Sequence, residues 1–309
     1  MLVVVALGGN ALLRRHEPMT AAAQIANVKI AAIALADLAR DHQIVIAHGN
    51  GPQVGLLALQ GAAYDPAKPW PLDVLGAETE GMIGYLIEQE LMNALPEGAH
   101  CATLLSRVEV DPADPAFKAP SKPIGPVYSM EEATQAKRTH DWTLVTEVSG
   151  GLRRVVPSPL PQRIIGLDAI KVLLGAGQTV ICAGGGGIPV VRNSAGEMQG
   201  VEAVIDKDRT AALLALELKA DALLLLTDVI AVFEDYGGPD QRALSATTAD
   251  ALGGLDLAPG SMGPKVAAAS DFARRSGKLA GIGQLADARA ILEGRAGTRV
   301  TQEKPVPLI

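Results

Sequence analysis

Five short runs, at 2–7, 44–47, 101–105, 179–183 and 222–227, are apolar at nearly every position. A strand with one wet face would alternate, so these runs predict parallel strands covered on both sides. Helical spacing fills the intervals between them. Ile25, Val28, Ala32, Leu35 and Leu38 recur every three or four residues from Thr20 to Arg40. Met82, Ile83, Leu86, Ile87 and Leu91 do the same from Thr79 to Asn93, and Thr210 to Leu218 continues the pattern. Strand alternating with helix predicts an α/β chain doubly wound around a mostly parallel sheet. With 309 residues, 48% of them hydrophobic, the chain suffices for two lobes or one large α/β domain.

The ends of these runs say where a ligand would sit. Leu2 to Leu7 empties into Gly8-Gly9-Asn10, Ile44 to Ala47 into His48-Gly49-Asn50-Gly51-Pro52, and Thr179 to Ala183 into Gly184-Gly185-Gly186-Gly187. Turns with so little side chain let backbone N–H groups converge on an anion, and a following helix adds the partial positive charge of its N-terminus. Three such turns after strands suit the handling of a phosphoryl group.

Composition excludes several alternatives. A formal net charge of −7 argues against nucleic acid, which needs a broad basic surface, and 3% aromatic residues are too few for a base-stacking platform. Cys101 and Cys182 lie far apart in apolar runs, as expected of reduced thiols in a cytoplasmic protein. The first apolar run is too short for a membrane span or a signal core. The five histidines show no metal-ligand spacing, and neither a Walker pattern, a nucleophile elbow nor a dinucleotide fingerprint is present. His48 reads as an anchor for its glycine loop rather than as a base.

Phosphoryl transfer asks mainly for positioning and neutralisation. Lys207, in Ile205-Asp206-Lys207-Asp208, and Lys265, in Met262-Gly263-Pro264-Lys265, both fall at expected helix starts. A lysine there opposes the helix dipole unless an anion is near. Asp206 and Asp208 could hold these ammonium groups or receive Mg²⁺, and Asp206 also reads as an N-cap. The proline-rich stretch from Asp111 to Pro161 breaks the alternation. Its segments Thr143–Val148 and Leu152–Val156, joined around Ser149-Gly150-Gly151, predict a hairpin in a small lid, and Lys122, flanked by prolines, would point from that lid into the cleft.

Taken in order, these segments resemble the carbamate kinases of the amino acid kinase superfamily. The resemblance runs from Ala6–Leu12 and His48–Gly55 through Lys122–Pro126, Arg153–Pro159 and Gly184–Val190 to Ile205–Asp208, Leu226–Val229 and Gly260–Val266. It implies an open αβα sandwich with a mostly parallel central sheet and a small protruding antiparallel lid. An amino-terminal lobe, 1–200 with the lid at about 111–161, would bind carbamate or carbamoyl phosphate, and 201–309 would bind ADP or ATP with Mg²⁺.

On this similarity Gly8, Gly9, Asn10, Asn50 and Gly51 would cradle the transferred group. Lys122, Lys207 and Lys265 would act on the phosphates, and Asp208 would organise the lysines. Thr227, Asp228, Tyr236 and Met262, with Lys265, would form the nucleotide pocket. A homodimer is implied, as is carbamoyl phosphate drawn from arginine, agmatine or allantoin catabolism. The chain departs from the family pattern at Ser121, where threonine is common, at Ile230-Ala231 and at Glu147–Gly151. Three other readings are another superfamily phosphotransferase acting on an acyl or amino-acid carboxylate, a non-catalytic sensor of nucleotide or carbamoyl phosphate, and a NAD-dependent oxidoreductase. The missing fingerprint disfavours the last.

Overall fold

A computed structural model describes the chain except for residues 10–11, 14–16, 66–67, 140–141, 147–149, 256, 258–261 and 303–309. In chain order the first half runs β1 (Leu2–Leu7), α1 (Ala21–Ala39), β2 (Gln43–His48), α2 (Gly51–Tyr64), α3 (Leu72–Ala94), β3 (Cys101–Thr103) and β4 (Arg107–Val110). Next come β5 (Lys122–Tyr128), α4 (Met130–Thr139), β6 (Thr143–Thr146), β7 (Leu152–Val156), β8 (Pro161–Ile164), α5 (Leu167–Gly175), β9 (Thr179–Ile181), β10 (Ile188–Arg192) and β11 (Met198–Gly200). The remainder is α6 (Lys207–Glu217), β12 (Ala222–Thr227), β13 (Val232–Glu234), β14 (Arg242–Leu244), β15 (Ala246–Thr248), α7 (Ala249–Gly253), α8 (Met262–Ser276), β16 (Leu279–Gln284), α9 (Ala288–Leu292) and β17 (Thr298–Thr301).

The central sheet has eight strands in the order β15-β17-β16-β12-β1-β2-β9-β3. Every neighbouring pair is parallel except β16 with β17. The pleat explains why the inner strands are apolar throughout: successive side chains enter opposite layers. Val4 and Ala6 join Val45, Leu223, Leu225 and Phe272 on the face covered by α6 and α8. Val3, Val5 and Leu7 join Ile44, Ile46, Leu35 and Ile87 on the face covered by α1 and α3. The expected αβα sandwich is thus what forms.

Among the described residues α1 is the one helix long and apolar enough to cross a bilayer. Here it is a core helix, capped by Thr20, with Val28, Leu35 and Leu38 fully packed. The lid is a three-stranded antiparallel sheet, β5-β7-β6, with α4 beside it. The expected hairpin is its β6–β7 pair, and β5 adds a strand over the proline-bearing segment. Ile124 and Val156 pack with Val54, Ala58, Leu72 and Val204, which seats the lid on α2. Gly55 and Gly125 let the two backbones touch there, since a Cβ on Gly55 would overlap the Gly125 main chain.

Candidate active site

β12, β1 and β2 run parallel and side by side, so their carboxyl ends share one edge of the sheet. From β1 the chain moves through α1 to β2 on one side, whereas β12 has β16 on its other side. Such a reversal of winding opens a crevice beyond the strand ends. Gly8 lines it: its N–H donates to the Leu226 carbonyl at 2.8 Å, and a Cβ would stand 2.9 Å from that oxygen and 3.5 Å from the Thr227 Cα. Gly49 donates to Leu7, and a Cβ on it would lie 3.3 Å from both Gly9 N and Lys207 Cδ. The first two glycine turns therefore meet each other and the Lys207 stem.

The charged groups arrive on helix starts. Asp206 caps α6, its Oδ1 accepting from the N–H groups of Asp208 (2.9 Å) and Arg209 (3.3 Å). That cap turns Lys207 and Asp208 into the crevice. Lys207 Nζ donates to Asp208 Oδ1 at 2.8 Å, and Lys265 Nζ, from the first turn of α8, donates to Asp208 Oδ2 at 3.0 Å. Lys122 Nζ reaches from β5 to Asp206 Oδ2 at 2.5 Å. α8 begins at Met262, so Lys265 sits one turn inside the helix rather than at its first residue. Both oxygens of each aspartate are engaged: those of Asp208 by two ammonium groups, those of Asp206 by Lys122 and by the N-cap bonds also expected of it.

Electrostatics follow from the packing. Burial opposes the charge on Asp206, but Lys122 and Lys207 outweigh it and hold the carboxyl well below the usual range. Burial likewise opposes the Lys207 ammonium, and Asp208 and Asp206 reverse the balance so that its pKa rises. Lys265 goes the other way: burial and the adjacent Lys207 ammonium pull it down to about 8 against Asp208.

Asn50, 5% exposed, donates to Thr79 Oγ1 at 2.8 Å and packs against Gly185, where any Cβ would strike its amide. Gly51 opens α2, whose first-turn N–H groups have no helical acceptor. The third glycine turn works differently from the other two. Gly184 donates to Glu80 Oε1 (2.8 Å), Gly186 to Ala183 (3.1 Å) and Gly187 to Gly184 (3.0 Å), so three of its four N–H groups are bonded within the protein, and the turn stands behind Asn50.

Thr227 stands beside Gly8 and hydrogen-bonds Asp228 Oδ1 at 3.1 Å, and Met262 lies one turn before Lys265 against the main core. Tyr236, 64% exposed, sits in the β13–β14 turn with its ring 5.8 Å from Phe233, outside the ion-paired centre. Ile230 is exposed and Ala231 buried. Asn10 and residues 147–149 lie outside the described residues.

Glu80 escaped the sequence reading. It is fully buried, its Oε2 accepts from the Ser106 N–H at 3.0 Å, and burial pushes it up to about 8 despite hydrogen bonds from Ser106 and Gly184. A charged residue three and seven positions before Ile83 and Ile87, on the apolar face of α3, was the signal. His48 beside it is fully buried and held at about 4 by burial, hence neutral, with Nδ1 donating to the Gly49 carbonyl at 3.2 Å.

The amino acid kinase family profile matches residues 1–282. A carbamate kinase of Haemophilus influenzae is 56% identical over 303 residues, covering 98% of this chain and 97% of that protein. One of Rhizobium meliloti is 53% identical over 97% of this chain and 93% of its own length. The solved carbamate kinase of Giardia lamblia bound to AMP-PNP is 39% identical and superposes with a TM-score of 0.87, covering 98% of both chains. The chain therefore belongs to the amino acid kinase family, within its carbamate kinases.

Proposed function

We propose that this carbamate kinase passes a phosphoryl group between carbamoyl phosphate and MgADP in a single in-line step, with no covalent enzyme intermediate. The bond from phosphorus to the carbamate oxygen breaks as a β-phosphate oxygen of ADP forms the new one. ATP and carbamate result, and the carbamate decomposes to ammonia and carbon dioxide. The observation that carries this reading is the convergence of Lys207, Asp208 and Lys265 beside the Gly9–Gly49 contact. Two ammonium groups on one carboxylate leave net positive charge where the equatorial oxygens of the migrating group gather negative charge.

In this account Lys207 and Lys265 bridge the phosphates, Asp208 fixes their spacing, and Lys122 closes over them from the lid. Gly8, by having no side chain, lets the end of β1 close against Leu226 and Thr227 to form the floor of the crevice. Gly9, Asn10, Asn50 and Gly51 hold the carbamoyl end. Thr227, Asp228, Tyr236 and Met262, with Lys265, border the nucleotide. Mg²⁺ would accompany the nucleotide and offset phosphate charge there; Asp206 and Asp208 already carry ammonium partners, so the nucleotide itself would supply most of its oxygen ligands. The sheet order supports the two-lobe reading, since β3, β9, β2 and β1 come from residues 1–200 and the other four strands from 201–309.

A homodimer in the cytoplasm completes the proposal. Ile30 and Ile33 on α1 and Tyr85 and Met92 on α3 are 40–61% exposed on two helices that pack side by side, an apolar surface suited to a second copy. Sedimentation velocity reads this directly, and a single-copy mass at micromolar protein removes it. For the reaction, purified protein supplied with carbamoyl phosphate and MgADP should yield ATP in a coupled assay. Folded protein that makes none, while phosphorylating an amino-acid carboxylate from ATP, would select the other family chemistry.

A further inference from the structure

Glu80 is fully buried, and both of its oxygens serve backbone N–H groups rather than a cation: Oε1 accepts from Gly184 at 2.8 Å and Oε2 from Ser106 at 3.0 Å. Ser106, also buried, completes the grip, its Oγ accepting from the Ala183 N–H at 3.0 Å. Two successive N–H groups at the end of β9 are thus taken by side chains from elsewhere in the chain. The backbone held in this way is left-handed at Ala183 (φ 53°), Gly185 (66°) and Gly186 (94°), a shape that alanine rarely adopts.

The turn in this shape presents Gly185 to Asn50, so closely that any Cβ would overlap the Asn50 amide. Its far end is fixed to α6. The Gly186 carbonyl accepts from Thr210 Oγ1 at 2.8 Å, one helical turn after Lys207, and a Cβ on Gly186 would overlap Ile205. Asn50 has a second anchor in Thr79, whose hydroxyl donates to Gly76 at 2.9 Å and therefore accepts from the Asn50 amide at 2.8 Å. Thr79 and Glu80 are consecutive on α3, so one point on that helix grips Asn50 directly and also sets the surface behind it.

Resting on the proposed reaction, in which Asn50 holds the carbamoyl end, we infer that Glu80 is a positioning residue for phosphoryl transfer. It acts through Gly184 and Gly185, keeping the Asn50 amide in register with the start of α6, where Lys207 meets the phosphoryl group. Register matters because a misplacement of about 1 Å can cost about 10²-fold in rate.

The test is a kinetic cycle of Glu80→Gln, Asn50→Ala and the double variant, with carbamoyl phosphate and MgADP as substrates. Glutamine keeps the volume but turns an NH₂ group toward one of the two backbone N–H groups. Glu80→Gln should lower kcat/KM for carbamoyl phosphate about tenfold and leave the KM for MgADP within about twofold. Asn50→Ala should cost about 10²-fold, and in that background Glu80→Gln should cost less than about twofold, because the group through which it acts is gone. Ser106→Ala, which removes the acceptor for the Ala183 N–H, should show the same coupling with a smaller loss, and it carries the test if Glu80→Gln does not fold. No loss from Glu80→Gln, an equal loss with and without the Asn50 side chain, or a matching rise in the KM for MgADP would overturn the role. Should Asn50→Ala alone cost nothing, or wild type make no ATP from carbamoyl phosphate, the reading of the site beneath it falls, and this role with it.

Discussion

The ion-paired centre of the body and the lid approach the same crevice with opposite designs. Lys207, Asp208 and Lys265 have side chains only 11%, 3% and 4% exposed, and both oxygens of one carboxylate are committed. Lys122 comes from a separate antiparallel sheet, keeps 30% of its side chain in water, and rests on Asp206. The lid is otherwise held by Ile124 and Val156 packed on α2, by the Gly55–Gly125 contact and by Arg154, which pairs with Glu202 at 3.5 Å. The buried centre stores its charge arrangement in the fold before any ligand arrives. The lid contributes a more solvated cation, which nonetheless is the main partner of the buried Asp206 carboxylate.

The largest effect should come from breaking the centre. Asp208→Asn leaves two nearly water-free ammonium groups facing a neutral amide, so denaturation should show a loss of about 3–5 kcal/mol and kcat should fall about 10³-fold. An unchanged denaturation midpoint would mean that the pairing does not hold the centre together.

Lys122→Ala should lower kcat/KM about 10²-fold and cost less stability than Asp208→Asn, about 1–3 kcal/mol, because Asp206 loses its closest ammonium but retains its cap bonds and Lys207. A large loss of stability would erase the contrast between lid and body.

A third effect separates charge from folding. With Lys265 at about 8 when folded and 10.5 ordinarily, the free enzyme loses that cation above pH 8, and kcat/KM should fall about tenfold per unit there. Between those values the unfolded chain binds more protons, so this group's contribution makes stability rise with pH while activity drops. Lys265→Arg should abolish the inflection, since guanidinium does not titrate in this range. Persistence of the inflection would assign it to Glu80, which burial also brings to about 8.

The inner strands were legible because each is buried on both faces and so wholly apolar. β16 was not, although it is equally central. Its apolar run is interrupted by Gly281 and Gly283, and a Cβ on Gly281 would lie 2.9 Å from Leu224 and would collide with Ile291, so the glycines admit α9. β15 and β17 are short and threonine-bearing, too weak a pattern to stand out.

At the site, Lys207 and Lys265 were visible because cations at helix starts contradict the dipole, whereas their sharing of one carboxylate depends on α6 and α8 packing together, which no local pattern encodes. The third glycine turn differs from the other two for a reason equally remote in sequence. Its composition matches an anion loop, but Glu80, 104 residues away in sequence, takes its first N–H.

The most direct test of the central claim is single-turnover phosphoryl transfer by Lys207→Ala, with MgADP binding measured by calorimetry on the same preparation. The account predicts a rate lowered about 10²–10³-fold in a variant that still folds and binds MgADP, with a melting temperature lowered by loss of the buried Asp208 pair. A rate within a few fold of wild type would contradict it, because the migrating group would then be crossing the crevice without the cation on which the proposed chemistry depends.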